Sequence, residues 1–212
     1  MRKKVYLFDF DGTLTSADTL LHFIRYACGT WHFFLGFLLY SPLLVLMKLG
    51  LCPNYMVKQR VFSWFFRGMS YADFDSLCRH FAADNMSLLR PKAVDMLHQL
   101  FARGENVMIV SASIDNWVRP FVEPFAESAS ATFHVAGTQV EVADGKLTGR
   151  FSSKNCYGEE KVNRIKAIYP NRKEWYMVAF GDSRGDRAML NYADEQHFKP
   201  FRTTKDASVS DL

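Results

Sequence analysis

Three apolar runs each stop at a short polar cluster, and this arrangement constrains the fold more than any other feature of the sequence. The runs cover residues 4–10, 106–110 and 175–180 and are rich in β-branched and aromatic residues. The polar clusters are DFDGT at 9–13, SAS at 111–113 and GDSRGD at 181–186. Almost unbroken apolar runs of this length are typical of strands buried on both faces of a parallel sheet. The sequence therefore predicts a doubly wound, Rossmann-like α/β sheet.

The segments between these runs alternate in character. Apolar residues recur at helical spacing in residues 92–103, 116–127, 158–168 and 186–192. Short β-rich pieces are predicted at 132–135, 139–142 and 146–151, with a hairpin turn at Ala143-Asp144-Gly145, and a last strand at 196–201. Alternating strands and helices support the parallel sheet.

Residues 17–87 interrupt the alternation with helical periodicity alone. Breaks are predicted at Gly29, at Pro42 and at 50–53 and 68–70, and Ser70 is the expected N-cap of a helix. We therefore predict an all-helical cap domain at 17–87 inserted into a discontinuous core domain of residues 1–16 and 88–203. The polar residues 204–212 are predicted to form a loose tail.

One stretch of the cap, Phe33 to Met47, carries no charge. It is shorter than the roughly 20 residues that a membrane-spanning helix needs, and Ser41-Pro42 is expected to break it. The favoured interpretation is a buried helical hairpin. The alternative is an apolar surface that rests on a bilayer or binds a lipid-like substrate.

Composition excludes several classes of protein. The net charge of the 212 residues is +4 and the basic residues are scattered, so nucleic acid is not an expected partner. The four cysteines form no CxxC pair and have no spacing typical of a zinc site. The N-terminal MRKK precedes too short an apolar run for a signal peptide. We expect a cytoplasmic protein, with peripheral membrane contact through residues 33–47 as the alternative.

The polar clusters are expected to meet. Parallel sheets bind ligands beyond the carboxyl ends of their strands, which would bring five side chains into one cleft. These are Asp9, Asp11, Ser111, Asp182 and Asp186. Gathered carboxylates repel one another unless a cation compensates, and Mg²⁺ prefers such oxygen ligands together with a substrate phosphate.

A basic residue completes the predicted site. Lys161, on the helix that begins near Gly158, could bind phosphate oxygens, and Ser111 could donate from its hydroxyl. Carboxylates, a metal, a hydroxyl and a lysine around one point suit phosphoryl transfer, where catalysis is mostly positioning and charge stabilisation.

Simpler interpretations exist for single residues. Asp9 and Asp11 could form a surface turn, and Lys161 could lie on a solvated helix face. Asp186 could cap the following helix, and Asp18 could equally be an N-cap or contact substrate.

Four ordered motifs carry a resemblance. DFDGTLT at 9–15, SAS at 111–113, Lys161 and GDSRGD at 181–186 resemble the motifs of the haloacid dehalogenase-like hydrolase superfamily. The helical insertion is similar to the C1-type cap of its phosphoserine phosphatase-like branch, subfamily IB. NCYGEEK at 155–161 and GDSRGDRAML at 181–190 look more like the phosphatidylglycerophosphatase C-type members of that branch.

The resemblance implies a role for each matched residue. Asp9 would be the nucleophile that forms an aspartyl-phosphate, and Asp11 would be the general acid and then the base. Mg²⁺ would be held by Asp9, by the backbone carbonyl of Asp11 and by Asp182. Ser111, Ala112 and Lys161 would bind the phosphoryl oxygens, with Asp186, Ser183 and Asp18 in supporting positions. An aspartate at position 11 argues for a phosphatase over a dehalogenase.

The implied function is a magnesium-dependent phosphatase acting on a small or lipid-linked phosphomonoester. Asp18 replaces a glutamate, and Ser111-Ala112-Ser113 replaces the Ser-Gly-Gly of phosphoserine phosphatase, so the amino-acid substrate is an alternative only. Two further alternatives are a non-catalytic protein that binds a phospholigand or metal, and a peripheral membrane protein whose main activity is lipid attachment.

Overall fold

Five parallel strands form the central sheet, in the order Phe133–Thr138, Asn106–Ile114, Lys3–Phe8, Trp175–Gly181 and Glu195–Phe198. The computed structural model describes residues 2–49, 51–126 and 132–202, without the side chains of residues 44, 47, 48 and 54. The strands are β1 (Lys3–Phe8), β2 (Asn106–Ile114), β3 (Phe133–Thr138), β4 (Val140–Ala143), β5 (Lys146–Phe151), β6 (Trp175–Gly181) and β7 (Glu195–Phe198). The predicted doubly wound parallel sheet is confirmed, and β1 lies at its centre.

The helices cover both faces of this sheet and build the insertion. They are α1 (Thr19–Lys48), α2 (Asn54–Phe66), α3 (Tyr71–Asp84), α4 (Pro91–Ala102), α5 (Asp115–Ala126), α6 (Glu159–Ile168) and α7 (Arg187–Tyr192). The predicted end of α5 at Glu127, the break at Gly50 and the tail at 204–212 lie outside the described residues.

Alternate residues of β1 enter two different hydrophobic clusters. Val5 and Leu7 pack with Ile165 of α6 and Leu190 of α7. Phe8 lies in a second cluster with side chains of α4 and α5, such as Leu97 and Trp117. Because successive strand residues point to opposite faces, an apolar run without alternation is what a strand covered on both sides requires.

The second cluster continues into the helical insertion. Phe23 of α1 stacks on Trp117 of α5, with ring centroids 4.8 Å apart. Phe23 also packs against Phe66 and Phe74, which belong to α2 and α3. Ser70 caps α3 as predicted, because its side chain accepts a hydrogen bond from the Asp73 N–H. The insertion thus shares its core with one face of the sheet.

Strands β4 and β5 form a separate hairpin that packs against the helical insertion. Asp144 and Gly145 have φ values of 49° and 72°, the left-handed conformation that a two-residue hairpin turn needs. The Gly68 N–H donates to the Leu147 carbonyl at 2.8 Å. The Asp-Gly turn predicted from the sequence is therefore present, and the division into core and cap domains stays a prediction.

Helix α1 does not break at Pro42, contrary to the sequence prediction. Its irregular position is Gly29, with φ 76° and ψ 163°. Pro42 has no N–H to donate to the Leu38 carbonyl one turn earlier, but the Ser41 hydroxyl donates to that carbonyl at 2.8 Å. Because this acceptor is satisfied by a side chain, the helix continues through the proline.

The predicted buried hairpin at residues 33–47 is also wrong. The segment is a single helical stretch, and much of its apolar surface faces outward: Leu38 is 73% exposed, Leu35 57% and Val45 55%. A segment that is apolar on all sides gives no periodic signal for which face is covered. Within the described residues, no helix combines the length and the apolar character needed to cross a membrane.

Candidate active site

Lys161 joins three parts of the chain at the carboxyl edge of the sheet. Its ammonium group donates to Asp9 Oδ1 at 2.5 Å, to Asp186 Oδ1 at 2.6 Å and to the Val110 carbonyl at 2.7 Å. The side chain is 1% exposed. Burial alone would lower its pKa, but the carboxylates of Asp9 and Asp186 outweigh burial and raise it. Lys161 is therefore a buried cation and does not lie on a solvated helix face.

Asp9 follows β1 directly and is buried. Its backbone N–H donates to the Phe180 carbonyl of β6 at 2.9 Å. Oδ1 accepts from Lys161, and Oδ2 accepts from the Thr13 hydroxyl at 3.1 Å. Burial raises the pKa of Asp9 to about 7, with Lys161 opposing the shift and Asp186 adding to it. A surface turn at this position is therefore excluded.

Asp186 is held in place by the loop that precedes it. Its Oδ2 accepts from the backbone N–H groups of Asp182 and Ser183 and from the Ser183 hydroxyl, at 3.1, 2.9 and 2.7 Å. Burial opposes ionisation, but the charge of Lys161 holds the pKa of Asp186 below its ordinary value. Asp186 thus holds the loop that precedes it and neutralises Lys161, whereas its side chain makes no capping hydrogen bond to α7, contrary to the simpler interpretation of this residue.

Asp182 faces the Asp9 loop. Its Oδ1 lies 3.4 Å from the Thr13 hydroxyl oxygen, and its Oδ2 pairs with Arg202 at 3.0 Å. Burial raises the pKa of Asp182, and Arg202 opposes that shift. The Thr13 hydroxyl therefore lies between the two carboxylates of Asp9 and Asp182.

Three carboxylates could hold a metal ion together. Asp9, Asp182 and Asp186 each offer an oxygen, and these oxygens lie within 4.8 Å of one another. Gly12 leaves space for the Asp182 carboxylate, because a Cβ at Gly12 would lie 2.5 Å from Asp182 Oδ2. Hard oxygen donors around one point fit Mg²⁺.

Asp11 belongs to a different environment. Its Oδ1 accepts from the backbone N–H and the hydroxyl of Thr19, at 2.7 and 2.6 Å, and its Oδ2 accepts from the Ser113 hydroxyl at 2.5 Å. Burial raises the pKa of Asp11, with the charge of Asp18 contributing. Its side chain is not one of the three grouped carboxylates. The two aspartates of DFDGT are thus separated in position and in partners.

The SAS segment lies within β2 and not beyond its end, because the strand extends to Ile114. Ser111 is buried, and its hydroxyl oxygen accepts from the Ser113 N–H at 3.0 Å. The Ala112 carbonyl accepts from Lys58 of α2 and from the Thr138 hydroxyl, both at 2.9 Å. The helical insertion therefore reaches the predicted phosphate-binding segment through Lys58.

Asp18 caps α1. Its side chain accepts from the Leu20 N–H at 2.9 Å, as one of the two interpretations of this residue predicted. Its exposed carboxylate also contributes to the charge around Asp11. A substrate contact for Asp18 stays a prediction.

Sequence reasoning missed several residues that contact the site. Thr13 and Ser113 stand inside the quoted motifs, so their hydroxyls could have been included. Nothing in the local pattern indicates the others, which reach the site from the helical insertion and from the end of the chain. These are Thr19, Lys58 and Arg202.

Comparison with known proteins gives consistent results. The family model described as haloacid dehalogenase-like hydrolase matches residues 6–191. Protein CicA of Caulobacter vibrioides is 34% identical over 199 residues, which cover 92% of this chain and 85% of that protein.

Solved structures show the same fold at lower identity. A Bordetella pertussis protein of unknown function has a TM-score of 0.78 and 19% identity, over 92% of this chain and 89% of that one. A substrate-bound phosphoserine phosphatase has a TM-score of 0.62 and 20% identity, over 93% of this chain and 86% of that one.

Proposed function

The chain belongs to the haloacid dehalogenase-like hydrolase family, and we propose that it is a magnesium-dependent phosphomonoesterase that forms an aspartyl-phosphate on Asp9. The observation that carries the proposal is the pairing of Asp9 with Lys161 inside a buried group of carboxylates. A nucleophilic carboxylate needs such a cation, because burial otherwise favours its protonated form.

In the first step, an Asp9 oxygen attacks the phosphorus atom and forms a new O–P bond. The bond from phosphorus to the leaving-group oxygen breaks, and Asp11 gives its proton to that oxygen. A raised pKa suits this role, because it favours the protonated form of Asp11 relative to a solvent-exposed aspartate.

In the second step, Asp11 takes a proton from a water molecule that attacks the same phosphorus atom. The O–P bond to Asp9 breaks, inorganic phosphate leaves, and both carboxyl groups return to their starting states. Thr19 and Ser113 hold the Asp11 carboxylate apart from Asp9, so that one residue serves as nucleophile and the other as acid and base.

Mg²⁺ would be held by Asp9 and Asp182, with the Asp11 carbonyl and Asp186 as further candidates, and it would offset the negative charge of the phosphoryl group. Lys161, Ser111 and Ala112 would bind phosphoryl oxygens. The burial of Ser111 beside the Lys161–Val110 contact supports this assignment.

Hydrolysis of p-nitrophenyl phosphate with Mg²⁺ tests the proposal. The Asp9→Asn variant should lose at least about a thousandfold in kcat, because it removes the nucleophile. Asp95→Asn, on the exposed side of α4, is the matched control and should keep full activity. Wild-type turnover by Asp9→Asn would exclude Asp9 as the nucleophile.

A substrate panel addresses the alternatives. Phosphoserine, sugar phosphates, nucleotides and phosphatidylglycerophosphate should separate a phosphoserine phosphatase from an enzyme for other phosphomonoesters. Metal binding without turnover on any member would instead favour a non-catalytic binding protein.

We also propose that the exposed apolar surface of α1 that follows Gly29, residues 31–46, rests on an anionic membrane. Besides the exposed leucines, Trp31 is 88% exposed. A nearby groove is lined by Tyr40, Trp64, Arg60 and Arg67. Within the described residues, no acidic side chain forms an ion pair with either arginine. Apolar residues beside aromatic rings and basic groups are typical of helices at the interface with anionic lipids.

Vesicle flotation tests the membrane proposal. Vesicles with phosphatidylglycerol should carry the protein upward, and the Leu35→Glu/Leu38→Glu variant should remain with the soluble fraction. Leu21→Glu, also on α1, is a control for the added charge. A wild-type protein that never floats, at any lipid composition, would contradict the proposal.

A further inference from the structure

Arg202 reaches the candidate active site from beyond the last strand. Its Nη2 atom donates a hydrogen bond to Asp182 Oδ2 at 3.0 Å. The side chain of Arg202 is 27% exposed and that of Asp182 is 12% exposed, so the pair lies at the edge of the site. The Lys199 N–H donates to the Gly181 carbonyl at 2.8 Å, which ties the same segment to the residue before Asp182. The segment after β7 is therefore attached to the end of β6 by its backbone and by a side chain.

Three phenylalanine rings fix the position of this segment. Phe180 stacks on Phe8 with ring centroids 4.5 Å apart, and on Phe201 with centroids 5.8 Å apart. All three side chains are buried. Phe8 is the last residue of β1, and Phe180 is the last but one of β6. Because Phe201 packs on the ends of both strands, the next residue, Arg202, is placed beside the acidic side chains that follow them.

The two carboxylate oxygens of Asp182 have different neighbours. Oδ2 accepts from Arg202, whereas Oδ1 lies 3.4 Å from the Thr13 hydroxyl oxygen. The Thr13 hydroxyl itself donates to Asp9 Oδ2 at 3.1 Å, so Oδ1 is the Asp182 oxygen on the side of Asp9. A metal ion held by Asp9 and Asp182 together would use Oδ1. The contact with Arg202 therefore engages the oxygen that such an ion leaves free.

The placement of Arg202 has a cost for the arginine itself. Its Nε atom is buried and has no hydrogen-bond partner in residues 2–49, 51–126 and 132–202. A buried donor without an acceptor lowers stability. An arginine that served only as a surface cation could turn its guanidinium group to solvent and avoid this cost. The contact with Asp182 is therefore maintained at the expense of Nε, which is typical of a side chain with a functional role.

We propose that Arg202 is a positioning residue for the metal site: it holds the Asp182 carboxylate with Oδ1 toward Asp9 and thereby raises the affinity of the protein for Mg²⁺. The inference rests on the magnesium-dependent function proposed above. Groups that hydrogen-bond to metal-binding side chains typically contribute about 10- to 100-fold to metal affinity. A positive charge that is merely nearby has the opposite effect, because it repels the metal ion. The direction of the change in affinity therefore distinguishes positioning from proximity.

Calorimetric titration with Mg²⁺ alone, without substrate, tests this proposal. Arg202→Met keeps most of the length of the side chain but removes the donor and the charge, and it should weaken Mg²⁺ binding by about tenfold or more. Arg202→Lys keeps the charge and a donor for the single hydrogen bond to Oδ2, so it should recover most of the affinity. Arg184→Met is the matched control, because Arg184 lies exposed in the loop of Asp182 and its side chain has no partner among the described residues. This variant should bind Mg²⁺ as tightly as the wild-type protein, or slightly more tightly.

Steady-state kinetics with p-nitrophenyl phosphate provide a second measurement. Because the expected defect of Arg202→Met is in metal affinity, saturating Mg²⁺ should return both kcat and KM to within about threefold of the wild-type values. An arginine that contacts the substrate would behave differently, since its loss would leave KM raised at every magnesium concentration. The near-UV circular dichroism spectrum shows whether Arg202→Met folds; if it does not, Arg202→Gln takes its place with the same expectation.

Several outcomes would overturn the proposal. One is Mg²⁺ binding by Arg202→Met that equals or exceeds that of the wild-type protein. Another is an equal loss of affinity in Arg202→Met and Arg184→Met, and a third is a KM that stays raised at saturating Mg²⁺. A wild-type protein that binds no Mg²⁺ would reject the magnesium dependence itself, and this inference with it. Weaker binding in Arg202→Met alone, without hydrolysis of any ester by the wild-type protein, would support the positioning role and reject the phosphatase function.

Discussion

The Asp11 carboxylate accepts two hydrogen bonds from Thr19, the first residue of α1. Thr19 is buried, and its hydroxyl oxygen also accepts from Trp117 Nε1 at 3.2 Å. The side chain proposed to move protons is therefore oriented by the residue at which the helical insertion begins. A displacement of α1 would change the position of this carboxylate directly.

Thr19→Val should reduce kcat/KM by about tenfold, because it removes one hydrogen bond to a charged group. That bond favours the ionised form, so its loss should raise the pKa of Asp11 further. Activity that requires protonated Asp11 falls as pH rises through this pKa. In the Thr19→Val variant, this decrease in activity should therefore occur at a higher pH than in the wild-type protein. A pH profile of kcat/KM measures the shift. Thr19→Ser keeps the hydroxyl and should keep the wild-type profile; an unshifted Thr19→Val profile would contradict the role of the bond.

Lys161→Met should lower the free energy of unfolding by about 3–5 kcal/mol, since it leaves two buried carboxylates without their cation. Asp186→Asn added to this variant should recover part of the loss, because one of the unpaired charges is removed. Urea denaturation without metal measures both effects. Lys166→Met, exposed on the same helix, loses a contact of its ammonium group with the Tyr192 ring and should change stability by less than about 1 kcal/mol. Equal stability of the Lys161→Met and Lys166→Met variants would be incompatible with the buried pairing.

Magnesium affinity should rise with pH up to about 7 and then level off. Burial raises the pKa of Asp9 to about 7, so in the metal-free protein a proton must leave before Asp9 can bind the ion. Below that pKa, the apparent association constant should increase about tenfold per pH unit. Calorimetric titration between pH 5.5 and 8.5 tests this, and a constant affinity over that range would count against Asp9 as a ligand.

Gly12→Ala should abolish most magnesium binding and activity. The added methyl group would lie 2.5 Å from Asp182 Oδ2, and Gly12 has φ +80°. Gly145→Ala is a close control, because Gly145 has φ +72° but nothing within 4 Å of the added group. Both substitutions should cost about 1–2 kcal/mol of stability through backbone strain. A similar loss of magnesium affinity in both variants would show that strain, and not the contact with Asp182, is responsible.

The edge of the sheet at which the site lies was predictable from the sequence. Asp9, Ser111 and Asp182 each end an apolar run, and the carboxyl ends of parallel strands share one edge. Lys161 was harder to place, because the helical period of EEKVNRIK does not indicate which face is buried. Only the tertiary contact with Asp9 and Asp186 reveals it as an internal cation.

The helical insertion was predicted less accurately, for two physical reasons. A proline breaks a helix when the carbonyl one turn earlier stays unsatisfied, and Ser41 satisfies it here. An apolar stretch such as 33–47 has the same pattern whether it packs inside or faces outward, and here it faces outward.

The three acceptors of Lys161 come from widely separated parts of the sequence. Asp9, Val110 and Asp186 lie 152, 51 and 25 residues away from it along the chain. Contacts of such high sequence separation form slowly, since the entropy cost of closing a long loop precedes the stabilisation that the contact provides. We therefore expect the three contacts of Lys161 to form late, and recovery of activity to be among the last events of refolding.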